Sequence, residues 1–482
     1  MTTKMSIKTS LKACFAAGVS ALLAGTAPVA LAQTGDAISL QDAINVAVSS
    51  NPEVGQAQYN TEAIQFERRQ AQGLYAPRVD IEWTAGVRRL TNPTRRQLQI
   101  EDDVLYPMEA QARAEWTLLD FGRRRGELLR QAARVDGASL RVVERSEFVA
   151  LQVARQYLDL LLQQRVVAAS QDNVEFHQQL VNDLATGVEQ GSISIADQQQ
   201  AQERLQAAIV RQAEAEQAVE EAKIALRRLT GLDISAVQLP PTLAESLPET
   251  VDEAVGLSRT NNPRVREAEA DVDAAHALAD SAKGDLFPRI GVEGVARGGD
   301  DIDGYRGKTT DLQARVFLRW NIFDGGINDA KYQEMVRRAS ETRYRLLQVT
   351  REAEEDVRTA WSTLNTQGRV TAELTRQSQV SDDLLVSYRN QFNVGRRSLL
   401  DVLDAQNTRY NVQVRLETAR FSEMFARYQT LASTNRLLTA LNVAPGAGAG
   451  QNDRERFDYG PPKPAELQYR TMARSSGTAA EN

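Results

Sequence analysis

Trp116-Thr-Leu-Leu-Asp-Phe-Gly122 recurs as Trp320-Asn-Ile-Phe-Asp-Gly-Gly326, with Trp, Asp and Gly at the same spacing 204 positions later. Each copy ends a stretch in which apolar and polar residues alternate, the period of a β-strand. Each also opens a proline-free run of more than sixty residues rich in Ala, Gln, Glu, Arg and Leu, all strong helix formers. A strand that turns at an Asp-x-Gly step into a very long helix, twice in one chain, sets the architecture.

Upstream of each motif lies the rest of a strand pair. Val79, Ile81, Trp83 and Ala85 alternate with Asp80, Glu82 and Thr84, and Ala112, Ala114, Trp116 and Leu118 form the partner. In the second half Ile290, Val292 and Val295 sit in a Gly-rich run, answered by Leu312, Ala314, Val316, Leu318 and Trp320. Alternation over ~10 residues suits a tilted barrel strand with one face to lipid and one to a polar lumen. Trp83, Trp116 and Trp320 are candidates for an interfacial aromatic belt. Four strands cannot close a barrel, so their edges must pair with other copies.

The repetition continues in both directions. Ala43, Asn51-Pro52, Ala57, Gly73 and Pro77-Arg78 recur 211 positions on as Ala254, Asn262-Pro263, Ala268, Gly284 and Pro288-Arg289. Gly191, Asp197, Ala201 and Gln202 recur 204 positions on as Gly395, Asp401, Ala405 and Gln406. So many pairs on two offsets mark the duplication of one structural unit. The offset changes between the Pro-Arg pair and the Trp, which predicts a solvent-exposed loop there, because loops absorb insertions.

Each half opens with a helical approach, Leu40 to about Tyr75 and Thr250 to about Leu286, restarted at Asn-Pro and ended by Pro77 or Pro288. Long helices are predicted from Arg123 to about Ala185 and from Asn328 to about Phe392; some 63 residues at ~1.5 Å each span roughly 95 Å. Return helices run from Ile195 to Leu229 and from Leu399 to Leu441. In the last, Leu403, Tyr410, Val414, Phe421, Phe425, Tyr428, Ala432 and Leu438 keep the three/four spacing of a packed seam. Large apolar residues are sparse for such lengths, which suits a hollow bundle wet on both sides better than a globular core.

The domain division follows from the repeat. A first unit covers 33–230, with a strand pair at about 78–119 and a hairpin tip at about 187–194. Residues 231–248, a linker expected to belong to an equatorial belt around the tunnel, join it to a second unit over 249–443, with a strand pair at about 289–323 and a tip at about 393–398. The Pro/Gly/polar tail over 444–482 is expected to be disordered or wrapped along the tunnel.

Residues 1–32 read as a signal peptide: Lys4, Lys8 and Lys12 precede an apolar stretch that closes with Ala30-Leu31-Ala32. The single cysteine, Cys14, lies inside it and follows Lys12-Ala13, so no lipid anchor, disulfide or Cys-ligated metal is expected. After cleavage no run of about 18 apolar residues remains, which leaves a β-barrel as the way to span a membrane. With 57 basic against 64 acidic residues, nothing suggests a nucleic-acid partner.

The two Trp motifs, together with Asn393-Val-Gly-Arg-Arg-Ser-Leu-Leu-Asp-Val-Leu-Asp-Ala-Gln406, stand in order and at matching places in both halves. Over about Ile38 to Val443 this pattern resembles the TolC outer-membrane factor family. The resemblance implies a mixed, mainly α fold: a homotrimer whose four strands per chain form a 12-stranded transmembrane β-barrel in outer-membrane lipid. A long antiparallel, coiled-coil-like α-helical tunnel would continue it across the periplasm. Gly191 and Gly395 match the helix-tip glycines that meet a periplasmic HlyD-like adaptor. Asp401 and Asp404 match the acidic rings of the pore entrance, and Arg397 and Asp197 match its closure network. Phe392 stands where some members carry tyrosine and Ala196 replaces a hydroxyl residue, so fewer hydrogen bonds are expected to hold this entrance shut.

Around Arg389 to Arg409 and Trp320 to Glu334 the wording is similar to type I secretion factors, which implies an inner-membrane ABC transporter. The alternative is an RND-type multidrug efflux pump. Readings of other classes fit less well. His177 and His276 lie in no catalytic or metal-ligating spacing, so no catalytic residue, metal or cofactor is expected. Arg297-Gly-Gly-Asp-Asp-Ile-Asp-Gly304 lacks the terminal Glu of a Ca²⁺ loop and reads as an exposed hairpin loop. A periplasmic coiled-coil scaffold or adaptor would explain the helices but not two matching strand pairs.

Overall fold

The computed structural model describes residues 37–454; the expected signal peptide over 1–32 and the tail beyond Arg454 lie outside them. Helices α1 (Leu40–Ser50) and α2 (Pro52–Gly73) lead into strand β1 (Arg78–Ala85). A small excursion follows, made of β2 (Arg88–Arg89), α3 (Pro93–Gln97) and β3 (Val104–Leu105). The chain then returns as β4 (Met108–Leu119) and continues as α4 (Arg123–Glu189) and α5 (Ile195–Thr230). The second half comprises α6 (Val251–Asn261), α7 (Pro263–Gly284), β5 (Arg289–Asp300), β6 (Lys308–Arg319), α8 (Ile327–Asn393), α9 (Leu399–Ser433) and α10 (Leu437–Ala440).

Local chemistry accounts for the breaks. Asn51 and Asn262 each cap a new helix, the carboxamide oxygen accepting the N–H of Glu53 or Arg264 at 2.9 Å, and proline follows where no N–H is needed. The same carboxamides reach with Nδ2 to the last carbonyls of the return helices, Leu229 and Ser433. At the strand-to-helix turns, Asp120 accepts the N–H of Arg124 and Asp324 accepts those of Gly326, Ile327 and Asn328. Trp116 and Trp320 donate their indole N–H to Tyr75 and Leu286 carbonyls at the ends of the approach segments. Each tryptophan thus stitches the foot of a strand to the helix that precedes its partner.

The four long strands form one antiparallel sheet in the order β1-β4-β5-β6. One face carries Val79, Ile81 and Trp83 beside Ala110, Ala112, Ala114 and Trp116, then Val292, Ala296, Leu312, Val316 and Leu318. Ile81, Leu312 and Val316 are largely exposed there, at 81%, 85% and 73%. The opposite face is polar. Glu293 is almost fully covered on it, ringed by Arg113 and Arg315 at 2.8 Å and Arg319 at 3.8 Å. Below the sheet, α2, α4, α7 and α8 pack side by side in the order of the strands they join.

The two hairpin loops at the far end of the sheet are folded onto each other, where the sequence suggests solvent-exposed segments. Leu105 and Ile302 are buried between them, and the guanidinium of Arg95, a residue only 1% exposed, donates to the carbonyls of Gly304, Ile100 and Asp103. Three carbonyl partners are what allows a lone cation to be buried in so small a core.

Midway down the helices a larger core gathers Leu40, Ile44, Val153, Leu160, Leu226, Leu431 and Leu437 from both halves. The Tyr157 hydroxyl lies 2.8 Å from the Ile38 and Gln238 carbonyls, and Tyr428 donates to the Pro241 carbonyl, tying the 231–248 segment to this level. The last return helix stops at Ser433 rather than continuing to Leu441. The Thr434 hydroxyl bonds the carbonyls of Thr430 and Leu431, and Asn435 takes a left-handed conformation (φ 56°), which breaks the helix before α10.

Glu147 belongs to this core. Burial pushes its carboxyl up to about 8, with the Leu438 N–H at 3.2 Å as its hydrogen-bond partner. The folded value lies above the ordinary 4.5, so the folded state holds an extra proton between the two. Stability therefore falls as pH rises through that window. Glu147→Gln is expected to raise the melting temperature at about pH 8.5, by an amount worth a few kcal/mol, and to leave it nearly unchanged at about pH 4. Circular-dichroism melts of the detergent-solubilised protein at both pH values check this.

Candidate functional site at the hairpin tips

Both long hairpins reverse by the same device. Gly191 (φ 70°) and Gly395 (φ 73°) end α4 and α8 in the left-handed region that glycine adopts without strain. Their N–H groups bond the carbonyls of Val188 and Phe392, and the next N–H groups, of Ser192 and Arg396, bond those of Gly187 and Gln391. This paired closure satisfies the last carbonyls of each helix. Three residues beyond each glycine a serine caps the return helix: Ser194 and Ser398 accept the N–H groups of Asp197 and Asp401. The serine hydroxyls in turn donate to those carboxylates, at 2.8 and 2.7 Å.

Asp197 and Asp401 therefore hold equivalent places in the two tips. The Ser398 hydroxyl, helped by its backbone N–H and by the charge of Arg397, keeps the Asp401 carboxyl below the ordinary range. Arg397 lies 3.9 Å from Asp401, donates to Gln391 at 3.2 Å and stacks its guanidinium 4.0 Å from the Tyr388 ring centre. Within one protomer the polar contacts of Arg397 stay on its own hairpin, and Asp197 bonds Ser194; the two are not joined. Asp404 is exposed one turn beyond Asp401, while Val402, Leu403, Ala405 and Gln406 face inward.

Behind the tips, the hairpins pack against each other. Leu180, Leu184 and Leu205 meet Leu399 and Leu403, with Ile193 and Phe392 at the margin. One turn higher the amide of Gln406 donates to Asn173 at 2.9 Å in a buried pair, and Arg211 donates to Asn407 at 2.9 Å. His177 lies in the same layer, edge-on to Phe176. Burial first, then the charges of Arg211 and Arg204, hold its imidazole down at about 4, so it stays neutral at physiological pH. Tyr388 is the tip residue that sequence reasoning misses. Nothing in a lone tyrosine two turns before a glycine signals an arginine folding back over its ring.

Comparison with known proteins agrees with this architecture. The family model for outer membrane efflux proteins matches residues 43–232 and 254–443, one match per repeat. Outer membrane efflux protein BepC of Brucella suis is 24% identical over 291 residues, 59% of this chain and 63% of that protein. Nodulation protein T of Rhizobium leguminosarum is 28% identical over 39% of this chain and 38% of its own length. The chain thus spans less than two thirds of either relative. Among solved structures, the Campylobacter jejuni CmeC outer membrane channel superposes with a TM-score of 0.72 at 14% identity, covering 83% of this chain and 86% of that one. At that identity the likeness is one of fold. With both repeats matched, the chain belongs to the outer membrane efflux protein family, whose place is the outer membrane.

Proposed function

We propose that this protein is the outer-membrane duct of a tripartite export system, working as a homotrimer. The observation that carries the reading is the two-faced sheet continuous with helices of tunnel length. Its apolar, exposed face suits lipid, its charged face suits a wet lumen, and both of its edges, β1 and β6, lack a strand partner among the described residues. Three copies would give twelve strands and, at the far end, six capped tips in a ring to meet a periplasmic HlyD-like adaptor.

In that trimer Asp401 and Asp404 would contribute six carboxylates around the entrance, a ring that attracts cations. Arg397 and Asp197 would close it across hairpins of neighbouring protomers. Arg397→Ala is then expected to raise the open fraction in planar-bilayer recordings roughly two- to tenfold, since each lost hydrogen bond contributes ~0.5–1.5 kcal/mol. Unchanged conductance would remove Arg397 from the closure.

For the energising partner we favour type I protein secretion with an ABC transporter, on the wording around Arg389 to Arg409 and Trp320 to Glu334. A multidrug efflux duct fed by an RND pump is the second reading, and the name of BepC favours it. Crosslinking in native cells, detergent extraction and mass spectrometry of the co-purifying proteins decide between them. Recovery from a soluble fraction with neither partner would overturn the duct itself.

A further inference from the structure

The segment after α10, whose composition suits either disorder or wrapping along the tunnel, is described as far as Arg454 and lies across three helices. The Gly446 N–H bonds the buried Ser146 hydroxyl on α4 at 3.0 Å. Farther along, both oxygens of Asp136 on α4 are engaged, by the N–H groups of Asp453 at 2.8 Å and Arg454 at 2.9 Å. The Asp453 carboxylate pairs with Arg68 of α2. Arg454 then turns into α7: its Nε stands 3.1 Å from Asp273, its Nη2 3.5 Å from Glu269, and its Nη1 3.4 Å from the Arg266 carbonyl. The side chains of Arg454 and Asp273 are each only 2% exposed, and Asp136 is buried to the same degree.

Burying an arginine is costly unless carboxylates and carbonyls meet it, and this one meets them from the second repeat while its backbone is held by the first. We infer that the groove over α2, α4 and α7 is a binding site for the chain's own C-terminal segment, with Arg454 as its anchor. Occupied, it staples the first repeat to the second at the upper tunnel wall. The inference is independent of which transporter feeds the duct.

Hydrogen exchange followed by mass spectrometry on the detergent-extracted full chain tests it. Arg454→Ala is expected to speed exchange of strap amides 446–454 by about a hundredfold or more, the effect of breaking a buried pair, and to loosen α7 near Asp273 while the hairpin tips stay as they were. Asp273→Asn in the Arg454→Ala background should recover part of that protection, because the buried carboxylate that has lost Arg454 is neutralised. Should the single variant fail to assemble, recovery of assembly in the double variant supports the pairing and failure of both rejects it. Strap amides that exchange at free-peptide rates in the native sequence, or that are unmoved by Arg454→Ala, would overturn the inference.

Discussion

Arginine in place of Ile81 or Leu312 is expected to abolish assembly in the outer membrane. The two residues lie in one row across the sheet, Ile81 beside Ala112, Ala112 beside Ala296 and Ala296 beside Leu312, and all point to the apolar face. An arginine near the middle of a lipid-facing strand costs about 2–4 kcal/mol, and the proposed trimer would repeat it three times, roughly 6–12 kcal/mol per assembly. Gln313→Arg is the control, one residue along β6 from Leu312 and on the opposite face. The readout is the fraction of protein recovered as detergent-resistant trimer from outer-membrane preparations. Equal recovery of Leu312→Arg and Gln313→Arg would mean that the apolar face does not meet lipid.

A second large effect is expected at Gly126, where α4 crosses α7 just below the sheet. A Cβ built there would lie 2.6 Å from the Ser281 nitrogen, 2.7 Å from the Ala277 carbonyl oxygen and 2.8 Å from the Ser281 Cα. All three are backbone atoms, so relief requires moving a helix, not a side chain. Gly126→Ala is expected to destabilise by about 1–3 kcal/mol and Gly126→Val by more. Gly137, eleven residues along the same helix, offers the contrast: its Cβ would meet only the Ala270 methyl, at 3.5 Å. Gly137→Ala is therefore expected to be neutral or to stabilise by up to ~1 kcal/mol, as alanine does inside a helix. Denaturant titrations of the two alanine variants side by side separate close packing from helix propensity.

What could be read from residues alone divides along physical lines. Strand pairs and long helices are written as periodicities, and Asn-Pro, Asp-x-Gly and the tip glycines announce caps whose partners lie within a few residues. The tip network is partly of this kind: Ser398 and Asp401 are three apart, so their mutual bonds are implied by spacing. Features held by distant partners are not legible. Arg95 sits in a polar stretch that looks like any loop, and one of its carbonyl partners, Gly304, is 209 residues away. Arg454 bonds residues 185 and 318 positions back in a segment whose composition signals disorder. The carbonyls that the indole N–H groups of Trp116 and Trp320 find, 41 and 34 residues back, are likewise visible only in the fold.

The long helices α4 and α8 contain 67 residues each, and both end in the same glycine-serine closure. Such a pair behaves as a matched set of rulers. Removing one residue from either would draw its tip up by ~1.5 Å and swing it by ~100°, carrying the capping serine and aspartate away from their counterparts. The depth of the tips is therefore quantised. A shorter or longer tunnel requires whole-turn changes made together in α4, α5, α8 and α9, near multiples of seven residues so that the packed seams stay in phase.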